Sequence, residues 1–544
     1  MNFVSGTNIK NYMINDQLVD WLEYYYYDKP TEMKDEFTKF IIKKGNEFES
    51  KIIEEINNNI KVKTVASHFF EEAYIKTLKL MESGTPLIHS AYIQNKDLKL
   101  YGIADLLIRS DFLKVFTDYE YKHTCKESYH YVVLDIKWST LNLTADKIHL
   151  VNSGRIPAYK GQLYIYNQCL KEMQKYEPKV GFLLGRRYVC NSIGERFDGP
   201  FDKIGVVNFE KKDCPLIDKI NKGIKWVRKY KKEGRNWELY PPSNHNLYPN
   251  MKVDSGGWNG IKTEIAKELN EITLIWYCGI KQREKAFEKG VFSYTDPRCT
   301  PKLLNIKGQR EKLISNILKI NRQNVEKFKI FSRSEMKTFS NEMFVDFETF
   351  CDVIDFENDE TEPLRKLNTI FLIGVYYENT YYSFVAKDLN ESSELAIMEE
   401  FTEFVRSKNN PVLWYWHAEN QIWDKSYSNQ FDKNNEIFQY DFNWQDLKNI
   451  FIQNEIVIKD CFSYKLKEIV FCLNKHGLIT VSNNSDYENG KDASLSALKL
   501  YLENEKKNEI SPMKENENMK EIIKYNEFDC VSLFSILNFL KMIF

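Results

Sequence analysis

The run YVVLDIKWS, residues Tyr131–Ser139, is apolar and β-branched except at Asp135 and Lys137. Residues two apart in a strand share one face, so these two charges point the same way. An unpaired buried charge is costly, so a strand written like this holds either a salt bridge or a site. Upstream, LKLYGIADLLIRSD (98–111) reads as a second strand, in which Gly102 permits a bend and Asp105 stands among Ile, Ala and Leu. Before it, FTKFIIKKGNEFESKIIEEI (37–56) has a helical pattern, with Glu49 four residues after Gly45 and placed to descend onto the sheet. Downstream, AYKGQLYIYNQCLKEM (158–173) places Gln162 and Tyr166 at i, i+4 on one helical face.

A second pattern of the same kind occupies the last third of the chain. MFVDFETF (343–350) is an apolar strand carrying Asp346 and Glu348 on one face. Like charges this close raise each other's pKa unless a cation sits between them. PVLWYWHAENQIWDKSY (411–427) supplies a strand, Pro411 to Trp416, then two acids, Glu419 and Asp424. Glu419 is preferred because it follows the strand directly and has Trp423 four residues on to anchor a helix. KEIIKYNEFDCVSLFSILNFL (520–540) is strongly helical, with Tyr525 and Asp529 at i, i+4.

Composition narrows the classes. The 544 residues predict about three domains, and 43% hydrophobic with 28% charged residues is the make-up of a folded protein. Lys plus Arg (76) nearly cancels Asp plus Glu (78), a net charge of −2, which excludes coating of nucleic acid by global basicity and leaves room for a local basic channel. No apolar run approaches a membrane span and the start lacks signal-peptide character, so an intracellular protein, cytoplasmic or nuclear, without a membrane association is expected. Ten cysteines contain no C-x-x-C pair and read as reduced, mostly buried thiols.

The first set, a helix-borne acid, G-x-x-D, D-x-K and Q-x-x-x-Y in that order, resembles the RecB-like branch of the PD-(D/E)XK nucleases. The resemblance implies a restriction-endonuclease-like fold over residues 1–240, with Glu49, Asp105 and Asp135 as ligands of Mg²⁺ or Mn²⁺. It also implies that Lys137 positions and activates the attacking water, and that Gln162 and Tyr166 orient the strand or the site. Some relatives carry cysteines for an iron–sulfur cluster; this sequence has no such grouping, so no cluster is expected. The second set resembles the DEDDy ribonuclease-H-like 3′→5′ exonucleases, in particular the YprB-type branch. DLKNIF (446–451) and SYKLKEIVFCLN (463–474) look like the helical region preceding its last motif. Over residues 341–544 that implies a mixed sheet, Asp346, Glu348, Glu419 and Asp529 as ligands about two cations, and Tyr525 orienting the water.

Between them, residues 241–340 read as a helical connector. NEITLIWYCGIKQREKAFEKG (270–290) looks faintly like a helix-hairpin-helix, with Gly279 at the hairpin and Lys281, Arg283 and Lys285 facing phosphates. The stretch Asn221–Arg235 is a basic amphipathic helix whose Lys225, Arg228, Lys229 and Lys232 are candidates for an electrostatic contact with nucleic acid. The expectation is therefore an α/β (α+β) chain acting as a divalent-metal-dependent nuclease, an exonuclease that hydrolyses DNA in preference to RNA, in repair, recombination or replication, with a helicase or replication protein as partner. The alternatives are a catalytically inactive nucleic-acid-binding scaffold and a ribonuclease.

Overall fold

Mixed sheets organise both halves of the chain. The computed structural model describes residues 3–26, 36–65, 67, 69–323, 326–334, 337–350, 369–430, 440–487, 489–507 and 512–544. They fall into two units, Met1–Glu271 and Ile272–Phe544, so the stretch 241–340 is shared between both.

The first unit is built on a seven-stranded sheet of β1 (Val62–Thr64), β2 (Leu87–Asn95), β3 (Leu100–Arg109), β4 (Tyr131–Asn142), β5 (Val180–Cys190), β6 (Glu195–Phe197) and β7 (Gly205–Asn208). They lie in the order β1-β2-β3-β4-β5-β6, with β7 also pairing β5. Strand β4 is antiparallel to β3 and parallel to β5. Its near-continuous apolar run follows from burial on both faces. Val132, Leu134 and Ile136 pack with Phe48, Ile52 and Ile56 of the helix Glu36–Asn59. Val133 belongs to the other core, with Leu163, Ile165 and Leu170 of the helix Ile156–Gln174. The β4–β5 register slips between Lys137 and Thr140, so the ladder breaks immediately after the lysine.

Gly102 lies within β3. It is paired with Ile93 inside the ladder. A Cβ there would lie 2.1 Å from Tyr166 Cε1, so the glycine is needed for the close approach of that ring.

The basic helix spans Leu216–Glu233 and buries Ile220, Ile224 and Val227. Lys225, Lys229 and Lys232 on its other face are exposed. Arg228 is half-buried, its Nη2 donating to the Leu98 carbonyl at 2.5 Å.

The second unit has a five-stranded sheet ordered β11-β10-β9-β12-β13, preceded in the chain by the short β8 (Phe328–Ile330). The strands are β9 (Glu342–Phe350), β10 (Thr369–Tyr377), β11 (Thr380–Val385), β12 (Val412–Tyr415) and β13 (Asn443–Asp446). Strand β9 is antiparallel to β10 and parallel to β12. β8 pairs separately with β14 (Ile456–Ile458). The long helix Glu517–Ile543 packs on β9 and β10. Its N-cap, Asn516, accepts from the Asn518 N–H.

The hairpin-like reading of 270–290 needs correction. Between Asn270 and Cys278 there is only a 3₁₀ turn, Ile272–Leu274, and Tyr277 takes a left-handed backbone with φ of 60°. A neighbourhood rich in β-branched and aromatic residues has little helix propensity to resist that break. Gly279 caps the following helix, Ile280–Phe287. Arg283 is buried, so it does not face phosphates as expected, whereas Lys281 and Lys285 are exposed. Among the described residues no helix is long and apolar enough to cross a membrane.

Candidate active sites

In the first unit, β3 and β4 bring Asp105 and Asp135 together where their ladder ends. The Ile136 N–H donates to Asp105 Oδ2 at 2.7 Å. Lys137 Nζ lies 2.6 Å from Asp135 Oδ2 and 3.8 Å from Asp105 Oδ2, bridging the two acids. Asp135 is wholly buried and its Oδ1 has no hydrogen-bond partner. Burial, then the neighbouring Asp135 charge, pushes Asp105 well above the usual carboxylate range. Burial alone would pull Lys137 down, but the facing carboxylates outweigh it and raise its pKa.

Glu49 reaches the same region from its helix. Its charge adds to the shift on Asp105, while Oε1 sits 3.1 Å from His89 Nε2. His89 is a residue that the sequence reading passed over. Its other ring nitrogen lies 3.1 Å from Thr64 Oγ1, so β1 and β2 jointly hold the Glu49 partner. A polar His inside the strand-like PLIHSAYIQ was the available signal. The following Ser90 has a φ of 52°, a strained value for a non-glycine residue. The i, i+4 pair is made as its spacing suggests: Gln162 Nε2 donates to Tyr166 Oη at 2.6 Å, and Tyr166 donates to the Ile103 carbonyl at 2.8 Å. This chain fastens the helix to β3 two residues before Asp105.

The second unit gathers a tighter group. Among the described residues, Asp346, Glu348 and Asp529 form the acidic group in which one ligand oxygen from each lies within 4.8 Å of the others. Glu49, Asp105 and Asp135 do not form such a group. β9 delivers Asp346 and Glu348 on one face, and the helix Glu517–Ile543 delivers Asp529. Burial raises all three acids, and mutual repulsion adds to the shift on Asp346 and Glu348. Glu348 is pushed up to about 8 and Asp529 to about 6, the latter restrained by Lys467.

Glu419 opens the helix Glu419–Gln430 and lines a cavity of about 300 Å³ together with Asp346, Trp416, Lys465, Leu466, Lys467 and Asp529. Burial pushes it up to about 8. Asp424 is exposed, while Trp423 is buried against Phe347, Phe401 and Phe442.

Three groups tie this site together. Tyr525, 3% exposed, stands four residues before Asp529 on the same helix. Lys467 donates to the Tyr525 hydroxyl and sits 4.1 Å from its ring centroid. Asn526, absent from the sequence-based set, donates from Nδ2 to Asp346 Oδ2 at 2.8 Å and to the Asp346 carbonyl at 3.2 Å, and accepts from Tyr381 Oη at 2.9 Å. Its position next to Tyr525 in the YNEFD run was the only local hint.

The donor set fits a divalent cation. It is made of carboxylate oxygens alone, its members are buried against their own repulsion, and Asp529 Oδ1 has no hydrogen-bond partner.

A family model of the RNase_H superfamily matches residues 354–541, beginning just after Glu348 and including Glu419, Tyr525 and Asp529. No curated protein matches the chain. The C-terminal part therefore carries a ribonuclease-H-like domain, in a superfamily whose fold is of the metal-dependent nuclease type.

Proposed function

We propose that this chain is a divalent-metal-dependent nuclease that hydrolyses phosphodiester bonds of DNA, with a trimming exonuclease site in the ribonuclease-H-like domain and a second hydrolytic site around Lys137. The observation that carries the reading is the convergence of Asp346 and Glu348, on the strand just before the matched stretch, with Asp529 inside it. Glu419 in the same cavity supports a fourth ligand.

Mg²⁺ or Mn²⁺ bound there would supply the positive charge that phosphate oxygens require as hydrolysis proceeds. The chain does the rest. Asp346 and Glu348 are held on one strand face, Asn526 fixes the first of them, and Tyr525 presents a hydroxyl beside Asp529 that can orient a water. In the first unit, Lys137 places an ammonium between Asp105 and Asp135, from where it can hold a water and stabilise a phosphate oxygen. The restriction-endonuclease-like assignment of that unit rests on its motif order and on the meeting of Asp105, Asp135 and Lys137. The exposed Lys225, Lys229 and Lys232 offer a backbone-contacting stripe.

The test is cleavage of end-labelled single- and double-stranded DNA and of RNA with Mg²⁺, Mn²⁺ or EDTA. Wild type is compared with Asp135→Ala/Lys137→Ala and Asp346→Ala/Glu348→Ala. Metal-dependent shortening of DNA that is lost in the second variant supports the exonuclease reading. No cleavage by wild type with either metal makes the chain a nucleic-acid-binding scaffold, and preference for RNA makes it a ribonuclease.

A further inference from the structure

Lys467 is the second residue of the helix Leu466–Lys475, and it reaches the acidic cluster of the C-terminal domain from a segment that contributes none of the acids. Its ammonium donates to the Tyr525 hydroxyl, lies over the Tyr525 ring and lines the cavity that also contains Asp346, Glu419 and Asp529. The hydrogen-bond inventory of Tyr525 then closes almost completely. A phenol oxygen has one proton and two lone pairs. Because the ammonium can only donate, one lone pair is committed to Lys467. The phenol proton is left to face the Asp529 carboxylate, four residues on along the same helix. A single lone pair is left.

We propose that Lys467 is a positioning residue of the hydrolytic site: it locks the Tyr525 hydroxyl so that one lone pair alone can receive a hydrogen from the attacking water, and it screens the acids until cations enter. The proposal rests on the nuclease reading for its first half and on the charge arrangement alone for its second. The screening follows from placement, since the Lys467 side chain lines the same cavity as Asp346, Glu419 and Asp529. An ammonium so placed is a rival of any cation for the same oxygens. Removing it should therefore strengthen metal binding while weakening turnover, an opposition that a lysine serving only to hold the fold, or only to grip phosphate, does not produce.

The experiment uses the full chain with Asp135→Asn in every variant, so that the second-unit site is read alone. Single-stranded end-labelled DNA is cleaved with Mn²⁺ by the parent, Lys467→Met, Lys467→Arg, Tyr525→Phe and the Lys467→Met/Tyr525→Phe double variant. Lys467→Met is expected to lower kcat about 100-fold with KM within about twofold, Lys467→Arg to recover part of the loss, and the double variant to be no slower than Tyr525→Phe. In parallel, calorimetric titration with Mn²⁺ alone is expected to show about tenfold tighter binding in Lys467→Met, and no such binding in Asp346→Asn/Glu348→Gln. Additive losses in the double variant, a raised KM with kcat preserved, or unchanged or weaker Mn²⁺ binding in Lys467→Met would overturn the proposal. A parent that cleaves no nucleic acid overturns the nuclease reading and with it the water-positioning half. The Mn²⁺ titration then decides the screening half, tighter binding sustaining it and any other result removing it.

Discussion

Gly374 and Asn526 occupy the space of one side chain: a Cβ on the glycine would fall 1.6 Å from Asn526 Oδ1. The absence of that carbon lets Asn526 lie flat against β10 and reach both oxygens of Asp346 that it bonds. Gly374→Ala is expected to destabilise the C-terminal unit by about 1–3 kcal/mol, through overpacking, and to lower exonuclease activity as Asp346 loses its donor. In Gly374→Ala/Asn526→Ala the collision with Asn526 is gone, leaving only the 2.8 Å approach to Tyr381 Oη, while the donor stays lost. Urea denaturation should therefore show less destabilisation than the sum of the single variants, with activity still low. Additive losses of stability would remove the close-packing argument.

The acid cluster costs stability in the absence of metal, since burial and repulsion oppose its ionisation. Glu348→Gln is expected to stabilise the metal-free protein by about 0.5–2 kcal/mol while abolishing the rise in melting temperature that Mn²⁺ gives the wild type. Thermal melts with EDTA and with excess Mn²⁺ provide both readings.

Asp20 makes the first unit sensitive to alkali. It is buried, accepts from Trp226 Nε1 at 2.9 Å and from Asn11 Nδ2 at 2.9 Å, and burial pushes its pKa up to about 8. The folded state therefore holds a proton that the unfolded chain releases near pH 4, and this contribution is complete below that pH. It is lost as pH rises toward 8, with a slope of at most about 1.4 kcal/mol per pH unit. Melting between pH 5 and 8 should fall less in Asp20→Asn than in wild type. An equal fall in both would show that Asp20 is not the group responsible.

The exposed face of the basic helix gives a prediction in salt. If Lys225, Lys229 and Lys232 contact phosphates, the triple change to Gln should flatten the dependence of log binding constant on log salt by about 2 for single-stranded DNA. Melting should stay within about 0.5 kcal/mol of wild type, because these side chains are exposed. Fluorescence anisotropy at several salt concentrations measures the slope.

What could be read in advance divides along a physical line. Charges interrupting apolar runs locate β4 and β9, because a strand buried on both faces leaves few other ways to write Asp135 or Asp346. Helical spacing pairs Gln162 with Tyr166, since three or four residues along a helix fix proximity by themselves. His89, Asn526 and Lys467 escape such reading because their partners lie far away in sequence: His89 meets Glu49 across 40 residues, Lys467 meets Tyr525 across 58, and Asn526 meets Asp346 across 180. The glycines escape it for another reason. Gly102 suggests a bend on its own, and only the Tyr166 ring shows that it is there for what it lacks. The break before Cys278 hinges on the left-handed Tyr277, a conformation no local pattern announces.

The meeting of strand β9 with the helix Glu517–Ile543 also bears on how the protein is made. Asp346 and Asn526 come into register only when a loop of 180 residues closes, and such distant pairings form late because chain entropy must first be overcome. A nascent or partly folded chain thus exposes the Asp346 and Glu348 pair without Asp529, and never the converged set. Competence of this C-terminal site would thus be switched on only by the completion of its own fold, whereas the Asp105, Asp135 and Lys137 group closes within the first unit.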